Sequence, residues 1–153
     1  MNKDDYFMQR AYKLAQEAEL HDEVPVGAVV VLNNEIIGKG CNQPISTNNP
    51  SAHAEIIALR QAGKNISNYR IPGATMYVTL EPCAMCAGAL IHARLDKVVY
   101  AVSDPKTGAL GSVLDLSNVD SFNHRLEVES GILEDECREL IQSFFKNKRL
   151  KNE

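Results

Sequence analysis

The chain has 153 residues, 44% of them hydrophobic, with a formal net charge of −4 and four cysteines. That length and apolar content suit one domain over residues 1–153 that buries most of its apolar surface. The acidic balance, with a pI of about 5.6, excludes phosphate attraction over the whole surface as a source of affinity, and the longest apolar run, 26–32, is far too short to span a bilayer.

Phe7, Ala11, Leu14, Ala15 and Ala18 recur at helical spacing and predict an amphipathic helix over residues 1–20 that packs on a sheet. Residues 26–32 and 35–41 read as strands flanking Asn33-Asn34, a pair that tolerates positive φ in a tight turn, so the sheet begins antiparallel. After a loop over 43–49, Asn49-Pro50 reads as an N-cap with proline at the first helical position, opening a helix that ends at Gly63. Residues 74–80 predict a strand stopped by Pro82, and the alanine-rich run 84–93 predicts a helix. Residues 97–102 form a further strand, and 125–129 alternates as an edge strand does. Leu133, Cys137, Leu140, Ile141, Phe144 and Phe145 then give a final helix its apolar face. The sum is an α/β fold with a mixed sheet of about five strands between helical layers.

The chemistry is concentrated at two strand-to-helix junctions, His53-Ala54-Glu55 and Pro82-Cys83-Ala84-Met85-Cys86. Cys83 and Cys86 fall at i and i+3 on a first helical turn, so their sulfurs share a face, and the helix N-terminus favours thiolate over thiol. Linked strands that run parallel bring both junctions to the same sheet edge. One imidazole and two thiolates can then hold zinc with a fourth position open for water. Glu55 is the only carboxylate in either motif free to carry protons, and it is expected to take one from the attacking water and deliver it to the substrate. Asn42 ends a strand before the first junction, so its amide can reach the same pocket. The remaining cysteines, Cys41 and Cys137, lie in apolar-periodic segments; this suits a reducing compartment, but either one supplying a fourth ligand gives a closed structural site instead. Near the C-terminus, Phe144-Phe145 stands beside Lys146, Lys148, Arg149 and Lys151, a pattern suited to a single-stranded RNA loop or to an ordinary solvated helix end.

H-x-E followed by P-C-x-x-C is the signature of zinc nucleobase deaminases. With it, the segments 24–28, 40–42, 77–83, 104–108, 122–125 and 144–145 make nearly the whole chain resemble the bacterial tRNA-specific adenosine deaminases. The resemblance implies a three-layer α/β/α cytidine-deaminase-like fold and one Zn2+ per subunit held by His53, Cys83 and Cys86, with Glu55 catalytic. It implies hydrolysis of adenosine to inosine at wobble position 34 of an arginine tRNA, by a homodimer in which each tRNA contacts both subunits. It further implies that Asn42 contacts the nucleoside, that Val26 and Ala54 line the base pocket, and that Asp104, Lys106 and Asn123 touch or shape the RNA. Phe144 and Phe145 belong to the final helix, which would meet the anticodon stem-loop.

Lys3, Asp4 and Asp5 open a chain with no signal-type apolar stretch, so a soluble cytoplasmic protein is expected. Two other functions share the motif: a free-base or nucleoside deaminase acting on guanine, cytosine or cytidine, and a catalytically silent RNA-binding zinc module, for which Glu55 has no evident use.

Overall fold

The computed structural model describes residues 2–151. Helix α1 (Lys3–Leu20) is followed by β1 (Gly27–Leu32), β2 (Glu35–Cys41), the short α2 (Pro44–Thr47), α3 (Ala54–Ile66), β3 (Thr75–Leu80), α4 (Ala84–His92), β4 (Lys97–Val102), β5 (Glu127–Ser130) and α5 (Glu134–Lys151). The strands form one sheet in the order β2-β1-β3-β4-β5. β1 pairs antiparallel with both β2 and β3, whereas β3-β4 and β4-β5 pair parallel. β2 and β3 therefore run in the same direction with β1 between them, and their C-terminal ends lie at one sheet edge. This is where both motif-bearing helices begin.

Side chains alternate across the sheet as the two-residue period of a strand requires. Ala28, Val30, Met76, Val78 and Val98 pack against Ala58 of α3 and Leu90 of α4 on one face. Val29, Val31, Tyr77 and Val99 meet Phe7 and Met8 of α1 and Cys137 of α5 on the other. Each large apolar side chain so buried contributes about 1.5–3 kcal/mol. The result is the three-layer arrangement expected of the α/β fold. The hairpin turn is also as expected, with Asn33 at φ 52° and Asn34 at φ 64°.

α3 covers the edge strand β2, and the contact needs small residues. A Cβ at Gly38 or Gly40 would collide with the α3 backbone at Ala58 or Ala54. Polar bonds fix the register: Lys39 N–H donates to Gln61 Oε1 at 2.8 Å, and Asn65 Nδ2 donates to the Ile37 carbonyl at 2.6 Å. Edge groups that would otherwise invite another chain are thus occupied. The same contacts set where α3 delivers its N-terminus.

Three boundaries differ from the sequence reading. α3 begins at Ala54 with His53 as N-cap, not at Asn49-Pro50, because 44–47 forms its own helical turn. That turn is held from a distance: the buried Glu23 carboxylate accepts the N–H groups of Ile45 at 3.2 Å and Ser46 at 2.7 Å. α3 also continues past Gly63 to Ile66, stopping where Ser67 turns left-handed at φ 56°. β5 begins two residues later than expected and ends one later, where Lys97 pairs with Glu127 and Val98 with Val128 across the sheet. Among the described residues, no helix is long and apolar enough to cross a membrane.

Candidate active site and metal centre

Two helix N-termini build the site. His53 is the N-cap of α3 and Cys83 the N-cap of α4, both with extended backbone, and neither side chain makes a capping hydrogen bond. At an ordinary N-cap the side chain would satisfy the first turn. At α3 a residue distant in sequence takes over: Asn42 Oδ1 accepts the Ala54 N–H at 2.8 Å, leaving the His53 ring free.

His53 Nδ1 lies 3.6 Å from Cys83 Sγ and 3.5 Å from Cys86 Sγ. A tetrahedral zinc with N and S ligands has N···S edges of about 3.6 Å, so the three donors already stand at the spacing such an ion requires. They are the only histidine, cysteine or acidic side chains among the described residues that converge in this way. Cys137 is buried in the core on the α1 face, and Cys41 neighbours Gln43, so neither closes the set. The geometry thus brings no fourth cysteine to the three donors.

The electrostatics suit the same ligand. The Cys86 thiol, donating to Cys83 with the His53 ring alongside, pulls Cys83 down to about 4. The same hydrogen bond, together with burial, pushes Cys86 up. His53 is raised, chiefly by its hydrogen bond with Cys83. Glu55 is 4% exposed, and burial pushes its carboxyl up to about 7. A carboxyl poised near neutrality beside a candidate metal is suited to moving protons in both directions.

The other candidates divide. Val26 and Ala54 are buried in the core cluster on the α3 face. Asn42 is half-buried, with Oδ1 committed to Ala54 and Nδ2 bonded to no protein acceptor among the described residues. The Asp104 carboxylate turns back on its own loop, accepting the Lys106 N–H at 3.0 Å and the Thr107 hydroxyl at 2.8 Å; Lys106 is exposed. Asn123 is exposed, while its neighbour His124 is anchored through Nε2 to the Leu95 carbonyl at 2.5 Å. Phe144 is 7% exposed and covered by Lys148, whereas Phe145 is 43% exposed. The adjacent aromatics thus have opposite surroundings, and only Phe145 presents an open face for stacking.

A groove of about 1150 Å3 runs between the 103–107 loop and α5, lined by Asp104, Lys106, Arg138, Phe145 and Arg149 among others. His53, Cys83 and Cys86 do not line it, so it is separate from the three-donor cluster. Sequence reasoning missed two buried carboxylates beside these elements, Glu23 and Glu81. The available signal was local: each is an acidic residue immediately beside apolar strand segments.

A model of the MafB19-like deaminase family matches residues 1–149. The tRNA-specific adenosine deaminase of Haemophilus influenzae is 50% identical over 147 residues, covering 95% of this chain and 85% of that protein. That of Bacillus subtilis is 44% identical over 151 residues, covering 99% and 94%. Among solved structures, one from studies of A-to-I editing by tRNA:A34 deaminases superposes with a TM-score of 0.86 at 41% identity, over 88% of this chain and 98% of that one. A guanine deaminase from Bacillus subtilis superposes less closely, with a TM-score of 0.64 at 32% identity, over 78% and 86%. With a buried carboxyl beside a three-donor site and these matches over most of its length, the chain belongs to the tRNA-specific adenosine deaminase family, among the MafB19-like deaminases.

Proposed function

We propose that this protein is a zinc-dependent aminohydrolase that converts adenosine to inosine at wobble position 34 of a tRNA anticodon, arginine tRNA being the substrate, and that it works as a homodimer. The observation that carries the reading is the convergence of His53 Nδ1 with the Cys83 and Cys86 sulfurs at 3.5–3.6 Å beside the buried Glu55. The donor set fits zinc, which when bound supplies a polarised water that loses a proton near neutral pH.

Glu55 takes the proton that the attacking water gives up and carries it to N1 of adenine, as C6 gains oxygen. The water's remaining proton, now on the C6 hydroxyl, then passes by way of Glu55 to the exocyclic nitrogen, which leaves as ammonia as its bond to C6 breaks, and C6 keeps the oxygen as a carbonyl to give inosine. Burial keeps Glu55 from losing these protons to solvent. Asn42, with one amide end fixed to α3, offers Nδ2 as a donor that holds the nucleoside in register with Glu55. A base in an anticodon loop can be extruded into such a site at small unstacking cost. The groove carrying Lys106, Phe145 and Arg149 accommodates the rest of the stem-loop, through phosphate contacts and stacking.

A depression of about 760 Å3 between α3 and α4, lined by Ile56, Leu59, Tyr69, Ala89 and His92, supports the dimer as its apolar contact face. Met85 on α4 is 40% exposed outside this depression, while Leu90 and Ile91 are core residues.

The test is inosine formation in an adenosine-34 stem-loop, with and without zinc removal, run beside free guanine, cytosine and cytidine. Inosine that appears only with zinc is the expected result. Turnover of the free bases with an inert stem-loop would overturn it.

A further inference from the structure

Glu81 ends β3's extension two residues before Cys83, and it is 2% exposed. Its carboxylate is engaged by one loop throughout. Oε1 accepts the Asp104 N–H at 2.9 Å and the Ser112 hydroxyl, and Oε2 accepts the N–H groups of Leu110 at 2.9 Å and Ser112 at 3.1 Å. Main-chain bonds reinforce the attachment: Glu81 N–H donates to the Val102 carbonyl at 2.8 Å, and Ala109 N–H to the Pro82 carbonyl at 2.9 Å. A Cβ at Gly108 would overlap this carboxylate, so the loop can close over it only with glycine there. The loop so held carries Asp104 and Lys106 at the wall of the long groove. A loop without this anchor would have to be ordered by the incoming ligand, at a cost to affinity.

We infer that Glu81 is a positioning residue: its carboxylate clamps the 104–112 loop onto the strand end that leads to Cys83, so that the RNA-reading groups stand ready before the stem-loop binds. The inference rests on the proposed RNA substrate. Glu81 touches neither the base nor the metal donors; it acts through the loop.

Glu81→Gln keeps the shape but sets an amide donor against an N–H donor, and Ser112→Ala removes a single hydroxyl bond. For Glu81→Gln, KM for the adenosine-34 stem-loop rises about tenfold, the loss expected for one charge-assisted hydrogen bond, while kcat stays within about twofold and zinc content is unchanged. Ser112→Ala moves KM in the same direction by less. The Gly108→Ala, Glu81→Ala pair supplies a cycle: Gly108→Ala alone raises KM, yet added to Glu81→Ala it raises KM no further, because the group its methyl meets is gone. A KM equal to wild type in Glu81→Gln, loss of zinc, a fall in kcat alone, or multiplying effects in the double variant would overturn the inference. Hydrogen exchange at the Leu110 and Ser112 amides is scored alongside, with faster exchange in Glu81→Gln expected and unchanged exchange overturning the clamp. Wild-type protein inert on the stem-loop would overturn the proposed function itself, and the exchange measurement would still decide whether Glu81 holds the loop.

Discussion

The candidate metal centre and the long groove are built on opposite plans. His53, Glu55, Cys83 and Cys86 sit within the first turns of two helices set on one sheet edge, buried or half-buried, and they depend on few other side chains. The groove is assembled from a loop and the last helix, its residues are mostly exposed, and two of its charges are engaged already, Asp104 with its own loop and Arg138 with Glu134. On the proposed function, chemistry is concentrated in a few residues whose loss should be severe. Recognition is spread over many residues whose losses should be small.

The contrast can be broken most forcefully at Glu55. Glu55→Gln retains stoichiometric zinc while kcat falls by about 10²-fold to 10⁴-fold, measured as inosine formation alongside metal analysis. Turnover near wild type would remove Glu55 from proton transfer and dissolve the distinction. The two adjacent phenylalanines sharpen it next. Phe144→Ala lowers stability by about 3–5 kcal/mol in denaturant melts, as for a buried aromatic. Phe145→Ala leaves stability nearly unchanged and weakens stem-loop binding by about 1–3 kcal/mol, the range for one stacked base. An exchange of these effects would place the interface on the other side of α5.

Burial at the centre predicts a pH signature. In metal-free protein the Glu55 carboxyl titrates near 7 and not at its ordinary 4.5, so the folded state holds this proton more tightly than the unfolded chain. The associated stability is fully present below about pH 4.5 and is lost as pH rises through about 7. Metal-free Glu55→Gln should match metal-free wild type at the acidic end and exceed it above neutrality, by on the order of 3 kcal/mol, in thermal melts across pH. Parallel curves would show that Glu55 is not held in a low-dielectric site. The smallest effect expected is within the C-terminal cations. Arg149→Ala, which removes an exposed groove charge, should weaken stem-loop binding and flatten its salt dependence, and Lys148→Ala should do so less because that ammonium is paired with Asp22.

Periodicity and turn chemistry made much of this architecture legible. The two-residue alternation of the strands, the stripe of the first helix and the paired asparagines at positive φ are local effects that reappear in the fold, whereas the stripe expected of the last helix is narrower, with Leu133 outside α5 at φ 57° and Phe145 exposed. The donor set was legible for a similar reason, since a helix start fixes Cys83 and Cys86 on one face. The start of α3 was not. Asn49-Pro50 looks like a cap by itself, but Glu23 draws 44–47 into a separate turn and Asn42 supplies the cap at Ala54. Nor does the pair Phe144-Phe145 reveal which ring faces inward, because that depends on how α5 rests against β4.

The amino-acid sequence alone determined which groups are available for chemistry and which elements carry them, because spacing along a helix or strand is set by a few dihedral angles near each residue. Tertiary structure decided what those groups face. The 3.5–3.6 Å approach of His53 to two sulfurs some thirty positions away, the burial that lifts Glu55, and the grip of Glu81 on a loop about twenty-three to thirty-one residues downstream all arise where the packed sheet brings distant segments together. Such contacts depend on close packing and on the satisfaction of buried polar groups, and neither is a property of any short stretch of chain.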